Sequence, residues 1–372
     1  MTQVRIADIT DIVMGQSPPG ESYNETGEGL PFFQGKAEFG ETSPTAKKWC
    51  TDPRRIAERG DILMSVRAPV GPTNIASEQC CIGRGLAAIR ARASVTQDFL
   101  RYFFRHAEPI LAQQGQGSTF AAIGRAEIAA LTLRLPSLEE QRRLVDLLSR
   151  AEGIVRLRRE AQRKAAELVP ALFLDMFGDP ASNPKGWPVV ALGDYLSIQS
   201  SVRTPDLVVD AHLPCIGADS IESATGRIVS WPTVDEIRPI SGKYSFGESD
   251  VLYSKIRPAL RKAIIAPSNG YCSADMYPLR PNELATAEFV VSLLLSKDFT
   301  DYAVGVSMRA QMPKVNRETL FAYKAPLPPI ELQRDFAAKV DAVRGIAAKQ
   351  AAALATAKAT FDALLHQSFA VS

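Results

Sequence analysis

The sequence predicts an α+β protein built as a tandem repeat, in which two globular units alternate with two long helices that pair as an antiparallel coiled coil. Three observations predict this fold. The octapeptide that begins at Leu135 returns at Leu327, and both copies share Leu-Pro, a carboxylate three residues after the proline, and then Gln-Arg. Each copy opens a long run of heptad-spaced apolar residues. Before each copy lie short β-branched and aromatic segments bounded by Gly, Pro, Asn and Ser, which are typical of strands and turns.

The repeat divides the chain into four predicted segments. Residues 1–136 form the first globular unit and 137–178 the central helix, followed by residues 179–328 as the second unit and 329–372 as the C-terminal helix. Within the units, the stretches that begin at Gly60 and Ser249 resemble a turn into a strand, and residues 95–113 and 284–303 resemble short helices.

The central helix begins with a predicted capping box, since Ser137 and Glu140 have the spacing of that motif. Pro170 should kink this helix or end its regular part early, and Gly178 with the following Asp-Pro is a stop signal. The apolar positions recur at alternating spacings of three and four, which predicts that each helix pairs with the other. The predicted seam residues are Leu144, Leu147, Ala151, Ile154, Leu168, Phe336, Val340, Val343, Leu354 and Phe361.

The duplication extends into the globular units. The pentapeptide that begins at Val4 resembles the one at Val190, and Gly60-Asp61-Ile62-Leu63 resembles Ser249-Asp250-Val251-Leu252. Only such scattered framework positions are shared, so the two units should differ in what they bind.

Composition bounds the class of protein but not its function. The 372 residues are 46% hydrophobic and 23% charged, as expected for a core-forming protein of two or more domains. The net charge of +2 means that any nucleic-acid surface must be local. The start of the chain does not resemble a signal peptide and no segment is long and apolar enough to span a membrane, which predicts a cytoplasmic protein. The five cysteines have no metal-ligand spacing and are expected to be reduced and buried.

No motif for catalysis was found. The sequence contains no Walker A, zinc-protease or nucleophile-elbow pattern. Residues 83–88 match G-x-G-x-x-A formally, but no clear βαβ unit follows them, so a nucleotide site is not expected.

Polar and basic residues occupy Gly- and Pro-rich loops at corresponding places in the two units. Arg and Gln bind base edges and Lys binds phosphate, so this inventory suits duplex DNA, although any single member is more often an ordinary exposed side chain. The predicted DNA-binding residues are Gln34, Lys36, Ser65, Arg67, Arg84, Gln116, Ser118 and Thr119 in the first unit, and Asp219, Ser220, Lys255, Arg257, Arg261, Lys262, Arg309, Gln311 and Lys314 in the second.

The paired Leu-Pro-x-x-Glu-x-Gln-Arg motifs, with Leu174-Asp175-Met176-Phe177-Gly178-Asp179-Pro180 and the following Asn-Pro-x-Gly-Trp, resemble the specificity subunit of a Type I restriction-modification system. The resemblance covers essentially the whole chain. It implies two target recognition domains, each reading one half of a bipartite DNA site, held apart by antiparallel helices whose length sets the spacing.

The resemblance also implies partners. A subunit of this kind has no catalysis and no cofactor of its own. It binds double-stranded DNA and docks two DNA adenine methyltransferase subunits, which use S-adenosylmethionine, and restriction subunits that use ATP and Mg join for cleavage. Two alternatives stay open: a stand-alone DNA-binding protein or a specificity paralogue of another defence complex, and an enzyme with a dispersed active site.

Overall fold

The computed structural model describes residues 2–114, 122–307 and 313–370. The chain divides into two compact units, the first made of Met1–Arg158 with Ala353–Ser372 and the second of Arg159–Ala352. Among the described residues, no helix is both long and apolar enough to cross a membrane.

The first unit contains two sheets and a two-stranded ribbon. Its strands are β1 (Thr2–Arg5), β2 (Thr10–Met14), β3 (Tyr23–Asn24), β4 (Leu30–Phe33), β5 (Trp49–Cys50), β6 (Ile56–Ala57), β7 (Ile62–Ser65), β8 (Thr73–Ile75), β9 (Cys80–Ile82), β10 (Leu86–Ala91) and β11 (Thr132–Leu135). Its helices are α1 (Ile6–Ile9), α2 (Gln97–Gln114), α3 (Arg125–Ala130) and the first half of α4 (Leu138–Phe177). One sheet is antiparallel with the order β2-β10-β7-β8, and the other has the order β3-β5-β4-β9-β6, in which β4 and β9 are parallel.

The second unit repeats this plan. Its strands are β12 (Val189–Ala191), β13 (Leu196–Ser197), β14 (Val202–Arg203), β15 (Cys215–Ile216), β16 (Lys243–Phe246), β17 (Val251–Ser254), β18 (Ala263–Ile265), β19 (Gly270–Ser273), β20 (Met276–Pro281) and β21 (Lys324–Pro326). Its helices are α5 (Leu192–Tyr195), α6 (Val234–Ile237), α7 (Ala287–Leu294), α8 (Lys297–Ser307), α9 (Arg317–Ala322) and the first part of α10 (Ile330–Phe369). The antiparallel sheet β13-β20-β17-β18 corresponds strand for strand to that of the first unit, and β15 and β19 form the parallel pair.

A buried ion pair occurs at the same place in both units. In the first, Arg90 on β10 donates from Nε and Nη2 to the two carboxylate oxygens of Asp61, at 2.8 and 2.7 Å. In the second, Arg280 on β20 makes the same two contacts with Asp250, at 2.7 and 2.9 Å. Both aspartates are buried, and bidentate pairs of this kind fix orientation as well as energy. The tandem repeat predicted from sequence is therefore visible in side-chain geometry.

The two long helices run antiparallel. In the first unit Leu148, near the start of α4, packs in one cluster with Phe361 and Leu365, near the end of α10. In the second unit the ring of Phe177, at the end of α4, lies 5.0 Å from the ring of Phe336, near the start of α10. The start of each helix thus meets the end of the other, as predicted.

The predicted seam of α4 is wrong at three positions. Leu147, Ile154 and Leu168 are 45, 53 and 45% exposed, whereas Leu148 and Val155 are buried. For Leu147 and Ile154 the buried stripe lies one residue later, because this half of α4 packs against Tyr102 of the first unit as well as against α10, which rotates the helix relative to a simple two-helix seam. Leu168 lies in the second unit, where the next residue, Val169, packs against the core.

The other predicted seam positions are covered to different extents. Phe336, Val340, Leu354 and Phe361 are buried and Val343 is half-buried, all on α10. On α4, Leu144 and Ala151 are half-buried, and Leu144 packs against the core of the first unit.

The predicted start of α4 is present, since the Glu140 N–H donates to Ser137 Oγ at 3.3 Å. Pro170 does not end the helix, which continues to Phe177.

Candidate nucleic-acid interface

The predicted binding residues of the first unit gather where the parallel strands β4 and β9 end. Gln34 follows β4, and Arg84 lies in the turn between β9 and β10. These two segments are joined because the Gly83 N–H donates to the Phe33 carbonyl at 2.8 Å. The carboxyl ends of parallel strands meet at one edge of a sheet, so Gln34 and Arg84 present their exposed side chains side by side.

Two glycines make this close approach possible. A Cβ atom on Gly85 would lie 2.1 Å from the Gln34 carbonyl oxygen, and one on Gly83 would lie 3.1 Å from Gln34 Cγ. The Gly-Arg-Gly tripeptide is therefore a tight turn that exposes Arg84.

The loop after β7 joins the same edge. The Val66 N–H donates to the Gly85 carbonyl at 2.9 Å, and Arg67 forms an isolated β-bridge with Ala122. The Arg67 side chain is exposed. Lys36, in a short 3-10 helix after Gln34, is exposed as well.

Sequence reasoning missed two cations at this edge. Lys48 precedes β5, and its carbonyl accepts the Phe32 N–H at 2.8 Å; Arg55 precedes β6, and its carbonyl accepts the Ile82 N–H at 3.0 Å. Both side chains are exposed. We call the set that meets here the first edge, with the members Gln34, Lys36, Lys48, Arg55, Arg67 and Arg84.

The second unit has an equivalent edge at the ends of β15 and β19. Asp219 follows β15, and Asp275 follows β19 and accepts the Lys255 N–H with its carbonyl at 3.0 Å. That contact corresponds to the one between Val66 and Gly85. The loop after β17 also carries Arg257, whose N–H donates to the Pro313 carbonyl at 3.0 Å, next to the exposed Lys314.

Two cations of this second edge were also missed. Strand pairing places Arg203 of β14 opposite Lys243 of β16, and Lys243 opposite Ser273 at the end of β19. The Arg203 guanidinium donates to the hydroxyl of Tyr271 and lies 5.2 Å from the centroid of its ring. The second edge consists of Arg203, Asp219, Lys243, Lys255, Arg257, Asp275 and Lys314.

A buried acid fixes this corner of the second unit. Tyr271 donates its hydroxyl proton to Asp210 Oδ2 at 2.7 Å, and this hydrogen bond lowers the pKa of the Asp210 carboxyl. Burial, and then the hydrogen bond to Asp210, raises the pKa of Tyr271. At neutral pH the Asp210 carboxylate is therefore negative and the Tyr271 hydroxyl protonated, next to the exposed guanidinium of Arg203.

Some predicted contacts have structural roles. Ser65 and Ser220 are buried, so the prediction of direct DNA contacts is wrong for these two serines. Ser65 donates to the Arg67 carbonyl at 3.0 Å, and Ser220 accepts from the Ser230 hydroxyl at 3.2 Å. Ser65 thus holds the loop after β7, and Ser220 links the short 3-10 helix after β15 to Ser230.

Three predicted cations of the second unit also bind carbonyl oxygens. Lys255 donates to the Ala274 carbonyl at 2.6 Å, Lys262 to the Ala218 carbonyl at 2.7 Å, and Arg261 to the Leu295 carbonyl through Nε at 2.9 Å. Each cation therefore shapes a loop of the second unit.

Five further predicted positions lie outside the described residues. They are Gln116, Ser118, Thr119, Arg309 and Gln311.

The edges have the chemistry of a binding surface. Exposed guanidinium, ammonium and amide groups bind phosphates and base edges. Within residues 2–114, 122–307 and 313–370, no cluster of three or more His, Cys, Asp or Glu side chains is arranged to hold a metal ion.

Comparison with known proteins finds similarity to type I restriction enzyme specificity subunits. Residues 1–166 match the model of the Type I restriction modification DNA specificity domain. The chain is 40% identical over 154 residues to a putative type I restriction enzyme MjaX specificity subunit of Methanocaldococcus jannaschii. This alignment covers 41% of this chain and 36% of that protein. It is 28% identical over 346 residues to the type I restriction enzyme EcoDI specificity subunit of Escherichia coli, which covers 84% of this chain and 74% of that protein.

A solved structure matches the whole chain. The crystal structure of a Type-I restriction-modification system S subunit from M. genitalium aligns with a TM-score of 0.56 at 15% identity, over 100% of this chain and 96% of that one. At this identity the likeness concerns the fold alone, and it extends the agreement beyond residue 166.

Proposed function

We propose that the chain, which is similar to type I specificity subunits over most of its length and matches their DNA specificity domain at residues 1–166, is the DNA-recognition subunit of such a system. Each globular unit reads one half of a bipartite, asymmetric site. The chain itself is non-catalytic and takes no cofactor.

One observation carries the proposal: the two units repeat their framework but not the side chains on their edges. The ion pair of Asp61 with Arg90 returns as that of Asp250 with Arg280. The turn that presents Arg84 in the first unit is Ser273-Ala274-Asp275 in the second. One scaffold with two sets of edge side chains is suited to reading two different half-sites.

The edges also differ in charge. The first edge has five cationic side chains and no acidic one, whereas the second edge includes Asp219 and Asp275. Cations serve both phosphate and guanine, while carboxylates accept from the amino group of cytosine. The difference supports half-sites of unlike sequence.

The long helices are assigned two further roles. Their length sets the spacing of the half-sites, and their outer faces dock two adenine methyltransferase subunits, with restriction subunits joining for cleavage. An apolar stripe on α4 supports the docking role: Leu147, Ile154 and Leu157 are 45, 53 and 62% exposed on one face of the helix.

The purified full-length chain tests the recognition role. We expect it to bind its duplex with sequence preference, to lose affinity steeply as salt rises because several phosphates are contacted, and to bind no S-adenosylmethionine by calorimetry. Tight specific binding that is unchanged when Type I methyltransferase subunits are added, with no complex formed, would favour a stand-alone DNA-binding protein. Binding of S-adenosylmethionine by this chain alone would contradict the proposal.

A further inference from the structure

An apolar loop protrudes from the second unit. Leu207, Val208 and Val209 are 47, 85 and 69% exposed, in the segment between β14 and β15. We call Leu207-Val208-Val209 the apolar loop. Three consecutive exposed aliphatic side chains are unusual on a protein surface and indicate a binding site.

The apolar loop is held rigidly from both ends. Asp206 Oδ1 accepts from the N–H groups of Val208 and Val209, at 2.8 and 3.0 Å. Asp210 Oδ2 accepts from the Asp206 N–H at 2.9 Å and from the Tyr271 hydroxyl at 2.7 Å. Because its conformation is fixed before binding, the loop loses little conformational entropy on contact with a partner.

The loop belongs to the second edge. It comes shortly after Arg203 in the chain. Arg203 lies opposite Lys243 on the neighbouring strand, and Lys243 lies opposite Ser273 at the end of β19. Ile240, just before Lys243 in the chain, is 100% exposed. Asp210, at the end of the apolar loop, and Arg203 both contact the Tyr271 hydroxyl, so the loop adjoins a cation of the second edge.

The first unit is different at the equivalent place. In the strand register, Arg90 of β10 lies opposite Asp11 of β2, and Arg280 of β20 lies opposite Ser197 of β13. Residues 12–29 of the first unit therefore correspond to the segment from residue 198 to the start of β15. Among the described residues 12–29, no large apolar side chain is exposed, and Glu21, Glu25 and Glu28 are exposed instead. The apolar loop is a feature of the second unit.

We propose that the apolar loop contacts the 5-methyl groups of thymines in the half-site read by the second unit. The inference rests on the DNA-recognition role proposed above. The thymine methyl is the apolar group that a base pair displays in the major groove, and aliphatic side chains recognise it there. Arg203 and Lys243, which lie opposite each other on β14 and β16, supply cations for the phosphates beside that groove.

Deoxyuridine tests this contact because it lacks only the thymine methyl group. Duplexes carrying the recognised site are made with deoxyuridine for thymine in one half-site at a time, and binding of the full-length protein is measured. The Val208→Thr/Val209→Thr variant keeps the side-chain shape and loses the apolar surface. Val189→Thr is the matched control, since Val189 is an exposed residue, 57% accessible, on β12.

We expect deoxyuridine in one half-site to weaken binding about fourfold for each methyl contacted, with no effect in the other half-site. The double variant should lose this sensitivity, and Val189→Thr should keep it. Equal affinity for thymine and deoxyuridine duplexes, or unchanged sensitivity in the double variant, would overturn the inference while leaving the recognition role intact. A protein without any sequence preference would overturn both.

Discussion

Gln141 makes in the first unit the same three hydrogen bonds that Gln333 makes in the second. Gln141 accepts the Thr96 N–H at 2.8 Å and donates to the carbonyls of Ser94 and Pro136, at 3.1 and 3.0 Å. The Gln333 amide contacts Thr286, Leu284 and Pro328 in the same way, at 3.0, 3.0 and 2.8 Å. Both amides are fully buried. The glutamine of the repeated motif therefore fastens the start of each long helix to the residues that precede a shorter helix of the same unit, α2 in the first unit and α7 in the second.

Replacing either glutamine by leucine should destabilise the unit that contains it. Gln141→Leu takes the side-chain partner from the Thr96 N–H and from the carbonyls of Ser94 and Pro136, the last of which is buried, and we expect this to lower the free energy of unfolding by about 1–3 kcal/mol. Urea denaturation measures the change. Gln367→Leu, at an exposed position of α10, should change it by less than about 0.5 kcal/mol. Equal effects of the two variants would argue against a fastening role.

The buried aspartate of the repeated ion pair should matter more than an exposed one on the same sheet. Asp61→Asn removes the charge that receives two contacts from Arg90, and we expect a loss of about 1.5–3 kcal/mol. Asp11→Asn is the control, because Asp11 pairs with Arg92 but its side chain is 58% exposed; such pairs contribute about 0–1 kcal/mol. Thermal unfolding of both variants decides whether burial accounts for the difference.

Arg84 should contribute to DNA affinity without contributing to stability. Its side chain is exposed at the first edge, so Arg84→Ala should weaken binding to the cognate duplex by about 1–3 kcal/mol and leave the unfolding transition unchanged. Arg59 provides the control, because it is exposed in the turn before β7, at the end of that strand away from the first edge. Fluorescence anisotropy that showed equal losses for Arg84→Ala and Arg59→Ala would reject the first edge as the contact surface.

His106 should make the stability of the first unit depend on pH. Burial, and then the nearby His366 at a ring distance of 5.5 Å, lowers the pKa of His106. The unfolded chain then binds a proton more readily than the folded one, so the free energy of unfolding falls as pH drops below about 6.5.

Urea denaturation between pH 7.5 and 5.5 measures this dependence. His106→Gln should flatten the profile by up to about 1.4 kcal/mol per pH unit. His212→Gln, at an exposed position, should leave the profile unchanged. A variant at position 106 that followed the wild-type profile would show that this histidine is not responsible.

The local signals of the sequence were strong enough to predict the repeat, the two long helices and the antiparallel pairing. The motif predicted where α4 and α10 begin, because Ser137 and the proline before each helix act within a few residues. The rotation of α4 was not predictable in the same way. Leu147 and Leu148 are equally apolar, and packing against a globule formed by distant segments decides which one is buried.

The two edges also depend on contacts between segments that are far apart in the sequence. Gln34 and Arg84 were found because they stand in Gly-rich loops at related places in the repeat. Lys48 and Arg55 precede short strands and Lys243 begins one, and only the pairing of strands far apart in sequence brings them to the edge. Ser65 was assigned to the surface because the chain does not reveal that its hydroxyl turns back to a carbonyl.

The most direct test of the central claim is single-molecule mapping of methylated bases in DNA from cells that carry this gene with its neighbouring methyltransferase gene, compared with cells that lack only this gene. We predict a bipartite, asymmetric motif with N6-methyladenine on both strands that disappears with the gene. Methylation that persisted unchanged in its absence would contradict the assignment of this chain as the recognition subunit.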